Sequence, residues 1–151
     1  MNENEKNQKR ETPAKPVANK MSFVDAIRAV FTNIFKFDGR ARRKEYWTFM
    51  LFYFLIMFGA MFLDVATGYN SYTHGSVYGP ITTTAYFIIL VPWLAVTIRR
   101  FHDCGYSWAY ILWVFLPIAG GIIVFIATIE DSEKKANEYG ESPKYGELEE
   151  D

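Results

Sequence analysis

The chain has 151 residues, 50% of them hydrophobic and 18% aromatic, with a formal net charge of −1. That length holds one domain with tails, and a single cysteine excludes an intrachain disulfide and a cysteine-rich zinc site. The near-zero net charge hides sharp segregation: no Asp, Glu, Lys or Arg lies between Asp64 and Arg99, or between Asp103 and Glu130.

Residues 1–20 are rich in Asn, Glu, Lys and Pro and lack the apolar core of a secretory signal. They read as a disordered tail. From Ser22 to Phe35, Phe23, Ile27, Val30, Phe31 and Ile34 recur at helical spacing, and Ser22 with Asp25 resembles a capping box. Fourteen residues reach roughly 21 Å, too short for about 30 Å of hydrocarbon, so the spacing predicts an amphipathic helix lying in the membrane interface. Phe37-Asp38-Gly39 ends it, and Asp38 is a candidate cap for the next helix.

A basic box follows, Gly39-Arg40-Ala41-Arg42-Arg43-Lys44-Glu45. Tyr46 to Val65 is then a first span whose one charge is Asp64, an acid expected at the far interface. Tyr46 and Trp47 sit where interfacial aromatics belong. Ala66 to Pro80 reads as a short polar loop, with Pro80 in the first turn of the next helix. Ile81 to Ile98 is a second span that Pro92 should kink. Thr82, Thr83 and Thr84 can bond back to helix carbonyls.

Arg99 to Ser107 is a polar island holding an Arg pair, His102, Asp103 and Cys104, with Gly105 for a turn and Ser107 as a cap. Trp108 to Ile129 gives 22 apolar residues interrupted by Pro117 and Gly120-Gly121. A kinked single span fits the length; a re-entrant hairpin would leave each arm too short to cross. The single span is the expectation. Glu130 to Asp151, with nine acids and three lysines, reads as a mostly disordered tail. The fold class is therefore an all-α membrane protein: an interfacial amphipathic helix plus three transmembrane helices, the second and third kinked at Pro. The domain division is a tail at 1–20, a helical integral-membrane domain at 21–130 and a polar acidic tail at 131–151.

Eleven of the sixteen Lys and Arg residues precede the first span, and Arg99 and Arg100 follow the second. The positive-inside rule puts the N-terminus and both polar boxes in the cytoplasm. Three full spans would put the C-terminus outside; a hairpin would leave it inside.

Arg40, Arg42, Arg43, Lys44, Arg99 and Arg100 outnumber Glu45 and Asp103 by four charges. Partly desolvated carboxylates need partners, so Glu45 is expected on Arg99 or Arg100, and Asp103 on Arg40 or Arg42. The remaining arginines are expected at anionic headgroups. This clasp comprises Arg40, Arg42, Arg43, Glu45, Arg99, Arg100, His102 and Asp103. A His beside an Asp also occurs in metal-dependent phosphohydrolases, but only His74 remains as a further histidine, on the opposite membrane face. His102 is expected to hydrogen-bond within its turn. Cys104 has no second cysteine and no orienting group. No catalytic residue, cofactor or metal ligand is expected. The basic Arg-Ala-Arg-Arg-Lys run abuts a span, so a membrane surface explains it better than nucleic acid.

Phe37-x-Gly39-Arg40-x-Arg42-Arg43-x-Glu45-Tyr46-Trp47, then Arg99-Arg100-x-His102-Asp103-x-Gly105-x-Ser107-x-x-Tyr110, resembles the YhaH-like family of small bacterial inner-membrane proteins, a domain family of unknown function. Asn137-x-Tyr139-Gly140-x-x-Pro143 is similar to that family's closing motif. The resemblance covers roughly residues 23–143. It departs at Cys104, where members often have Thr, and at Trp108-Ala109-Tyr110. It implies a multi-pass inner-membrane location and supplies no activity. The expected role is a non-enzymatic scaffold or interaction module, with the bilayer, anionic headgroups, and a second copy or membrane-protein partner as its associates. A transport or anionic-lipid-handling subunit is the alternative.

Overall fold

The computed structural model describes residues 21–69, 75 and 78–145. The expected N-terminal tail and, within the expected loop at 66–80, residues 70–74, 76 and 77 with His74 among them, lie outside the described residues. Among the described residues the architecture is all helical, apart from an isolated bridge between Asn137 and Gly140.

Helix α1, Phe23–Thr32, begins with the capping box: Ser22 Oγ accepts from Asp25 N, and the Asp25 carboxylate accepts from Ser22 N. Asn33 ends it and donates back to Ala29 O at 2.7 Å. Ala26 and Val30 are buried against the rest of the protein, and Phe31 meets Phe49 and Phe52 edge-on.

Helix α2 is Arg43–Ala66 and helix α3 is Pro80–Asp103. Both are long and apolar enough to cross a membrane, about 36 Å each by rise per residue. They form an antiparallel pair around Tyr46, Phe49, Ile89 and Val96. Each is longer at the clasp end than expected. Helix α2 starts at Arg43 instead of Tyr46, its N-cap is Arg42, and Asp38 takes no capping role. Helix α3 runs on through Asp103, so Arg99–Asp103 of the polar island form its last turn and a half, and Cys104–Ser107 follow as the turn. It also continues unbroken through the buried Pro92.

Asp64 and Gly79 join the pair at the other end. Gly79 is the N-cap of α3 and has no side chain to bond the first N–H groups. Asp64, on α2, supplies the missing acceptor. Its carboxylate accepts from Ile81 N at 3.0 Å, Thr82 N at 2.8 Å and Thr82 Oγ1 at 2.6 Å. Asp64 is only 2% exposed, so it is a buried cap for α3. Glycine is required at 79 because a Cβ there would fall on that carboxylate. Thr84 alone of the threonine triplet is seen to bond back, to Pro80 O.

The expected third span is not one helix. Trp108–Phe115 is a 3-10 helix, Leu116–Ile118 is a turn, and Ala119–Ile129 is helix α4. The two arms lie against each other: a Cβ at Gly120 would strike the Trp113 carbonyl. Their bases also meet, Tyr106 Oη donating to Glu130 Oε2 at 2.9 Å and Cys104 Sγ to Ala127 O at 3.4 Å. The segment therefore goes out and returns. Pro117, lacking an N–H, and Ile118, at φ 65°, make the reversal.

Replacing Asp64 with Ala should lower stability by about 2 kcal/mol, since it strips a cap and leaves the buried Thr82 N–H unpaired. Thermal unfolding in detergent measures this. Hydrogen exchange should quicken at the first turn of α3 and stay unchanged at Arg99–Asp103.

Candidate functional site

The two polar boxes are neighbours. Ala41 N donates to Arg99 O at 3.0 Å, which pins the chain entering α2 to the last turns of α3. Helical spacing then aims Arg99, Arg100 and Asp103 at different elements.

Asp103 is the centre. Its Oδ1 accepts from Arg40 Nε at 3.0 Å, and its Oδ2 from Arg100 Nη1 at 2.5 Å and Ser132 Oγ at 2.5 Å. The side chains of Asp103 and Arg100 are fully buried, and that of Arg40 nearly so. The rest of each guanidinium goes to carbonyls. Arg40 Nη1 donates to Lys135 O and Gly140 O, and Nη2 to Glu133 O and Asp103 O. Arg100 Nε donates to Thr128 O at 3.1 Å, and its Nη2 to Glu130 O. Charge-assisted bonds of this kind are stronger than neutral ones and fix orientation.

A second buried pair lies alongside, Arg99 Nη1 donating to Glu45 Oε1 at 2.9 Å. Among the described residues Arg99 Nε and Nη2 find no partner, so Glu45 is the one acceptor this guanidinium has there. His102 reaches outside its own turn: Nδ1 is 3.2 Å from Gly39 O, and the ring stacks on Tyr139 at 3.7 Å between centroids. Arg42 and Arg43 are half-buried and Lys44 is exposed; Arg43 pairs with Asp131 at 2.9 Å.

Residues 131–145, expected to be disordered, are the lid of this cluster. Ser132 and Ser142 are buried. Asn137 Nδ2 donates to His102 O at 2.9 Å, and Glu133 N to Asp103 O at 2.9 Å. Asp131 gathers Lys144 at 2.7 Å, Tyr145 and Arg43. The hydrogen bond from Lys144 holds the Asp131 carboxyl down, to about 2. Burial pushes the Cys104 thiol up to about 11, so it stays protonated. Its nearest acceptor is Ala127 O. Among the described residues, no three His, Cys, Asp or Glu side chains gather to hold a metal.

The geometry thus brings Arg40, Glu45, Arg99, Arg100, His102 and Asp103 into one buried knot and leaves Arg42 and Arg43 at its edge. Sequence reasoning missed Thr128, Ser132 and Glu133, which act largely through backbone or a short hydroxyl. It also missed what Asn137 and Tyr139 do, although their closing motif had marked the segment.

A small all-helical protein with two potential spans and a buried Arg/Asp knot is the class these features define. Residues 34–141 match the family model described as "Protein of unknown function (DUF805)", and the chain belongs to that family. It is 33% identical over 115 residues to the inner membrane protein YhaH of Escherichia coli K12, covering 76% of this chain and 93% of the relative. It is 31% identical over 119 residues to the inner membrane protein YhaI of the same strain, covering 78% and 94%. No solved structure gives a significant match.

Two tests follow from the geometry. Glu45→Arg and Arg99→Glu should each cost about 3–5 kcal/mol, because each strands a buried charge, and the double variant should recover most of that loss. Denaturation of the four proteins in detergent measures the coupling. The second test concerns pH. The folded-state value for Asp131 lies below its unfolded one, so its contribution is present above about pH 4 and is lost as pH falls toward about 2. Hydrogen exchange over 131–145 should accelerate through that window, and Asp131→Asn should remove the dependence.

Proposed function

We propose that this chain is a non-enzymatic inner-membrane scaffold in which the Arg/Asp knot locks two spanning helices, a re-entrant hairpin and a polar lid into one rigid unit at the cytoplasmic face. The observation that carries the reading is the state of the charged side chains. Arg40, Arg100 and Asp103 are buried and bonded to one another and to the lid. Chemistry needs polar groups held open to a substrate; here they are consumed in joining segments far apart in sequence. Such buried ionic groups contribute more to a unique arrangement than to net stability.

The inner-membrane location is supported by the likeness to YhaH and YhaI. The orientation is supported by Lys and Arg placement. Arg28, Lys36 and Lys44 are exposed and Arg42 half-exposed around the same end of the molecule. We read them as the residues that meet anionic headgroups, at about 1 kcal/mol each. Arg40, Arg99 and Arg100, expected partly in that role, are too buried for it.

Helix α2 leaves the cytoplasmic face, α3 returns to it, and the hairpin begins and ends there. Both chain ends are therefore cytoplasmic. Fusion of a fluorescent protein or an export-dependent phosphatase to either end checks this: fluorescence without phosphatase activity is expected at both. Phosphatase activity at the C-terminal fusion would restore the three-span topology.

A further inference from the structure

Two apolar elements are confined to one half of the molecule. The first is α1, packed through Phe31 on Phe49 and Phe52, within the first three turns of α2. The second is the hairpin. Its base lies at the knot, where Asp131 pairs with Arg43. Moving from that base toward the tip, Thr128 O accepts from Trp47 Nε1 at 3.2 Å and Phe125 packs on Trp47. The hairpin therefore points the same way as α2, inward from the knot. Its arms are an eight-residue 3-10 helix and an eleven-residue α-helix. At about 2.0 and 1.5 Å per residue, both arms come to about 16 Å. One leaflet's hydrocarbon is about 15 Å thick.

The chemistry along the arms agrees with that depth. Tyr106, Trp108 and Tyr110 stand at the base, the aromatic position of a membrane interface. The tip is aliphatic and aromatic, and its side chains face outward: Phe115 is 80% exposed and Ile118 88%. Three of its amides are bonded within the turn, as hydrocarbon demands. Leu116 N donates to Trp113 O, Ala119 N to Pro117 O and Gly120 N to Leu116 O, while Pro117 has no N–H to bury. A β-branched Ile at φ 65° is strained, and Gly would suit the backbone better; Ile supplies an apolar side chain to the bilayer centre instead.

We propose that the exposed faces of α1 and the hairpin are occupied by acyl chains of the knot-side leaflet, which makes the protein a single-leaflet wedge that recognises membrane convex on that side. This rests on the placement given under the proposed function. Four helical segments cross the knot-side leaflet and two cross the other. With helices about 10 Å wide, the footprints differ by roughly 160 Å² before α1 is added. An inclusion wider in one leaflet is accommodated at lowest cost where that leaflet is expanded. By linkage, many copies would favour the same curvature.

The test uses the full chain in vesicles with the knot facing out, selected by tag accessibility. Protein per lipid should be about threefold higher on vesicles of about 50 nm than of about 400 nm, and the order should invert with the knot facing in. Trp108→Ala with Trp113→Ala narrows the exposed arm without touching the knot, and should flatten the preference while leaving the unfolding temperature near wild type. Equal densities in both orientations would overturn the wedge. A spin label at Ile118→Cys in a Cys104→Ser background should be reached by oxygen and not by a water-soluble nickel complex. Access to the nickel complex from the knot side would overturn insertion and leave the two-span topology standing. Access from the far side would overturn both. Cross-linking of Ile118→Cys to a second copy would assign the face to a dimer instead.

Discussion

Everything in this protein depends on one carboxylate held between two guanidinium groups. Asp103 is fully buried at the end of α3, with Arg40 on one oxygen and Arg100 on the other. An acid there without partners would cost several kcal/mol, and so would either arginine. None of the three can be placed until the others are. Arg40 comes from the chain entering α2, and Arg100 and Asp103 from α3. Their remaining donors and acceptors reach Thr128, Glu130, Ser132, Glu133, Lys135 and Gly140. The knot is thus a geometric constraint on four segments at once. The second pair, Glu45 with Arg99, adds direction to the α2–α3 contact but joins only those two helices.

The opposite end of the helix pair uses the same logic with weaker groups. Among the described residues Asp64 has no cation; it is held by the first amides of α3 and by Thr82. A carboxylate at a helix N-terminus meets orphan donors and the positive end of the helix dipole. The α2–α3 hairpin is therefore fixed ionically at one end and by capping at the other. Between them it relies on packing of Phe49, Ile89 and Val96.

Much of the fold was legible in the sequence because two signals are strong. Runs of apolar residues as long as Tyr46–Val65 and Ile81–Ile98 read as helices long and apolar enough to cross a membrane, and the structure has both. The Ser22–Asp25 box marks a helix start by itself. The pairings within the polar boxes were readable from charge balance: few acids face many bases, so each acid has few candidate partners. What hid from the sequence has physical reasons too. Trp108–Ile129 has the length of one span, and hydropathy sees length, not direction. Only the joint presence of Pro117 and Gly120 hints at a reversal, and the same residues serve a kink. Residues 131–145 have the composition of a disordered segment, because their contribution is made by carbonyls, which composition does not register. The capping role of Asp64 was hidden because its partner, the bare N-terminus of α3, has no side-chain signature beyond Gly79-Pro80.

The reach of Arg40 sets a clock on biogenesis. Its carbonyl partners in the lid lie 93, 95 and 100 residues downstream. A ribosome adding about 5–20 residues per second needs about 5–20 s to cover that distance. Throughout that interval α2 and α3 can pair and Asp103 can take Arg40 Nε, yet the lid carbonyls that complete the guanidinium's bonding have not been made. Full burial of Arg40 therefore waits for the lid, and a product released before residue 140 would leave that guanidinium short of its acceptors.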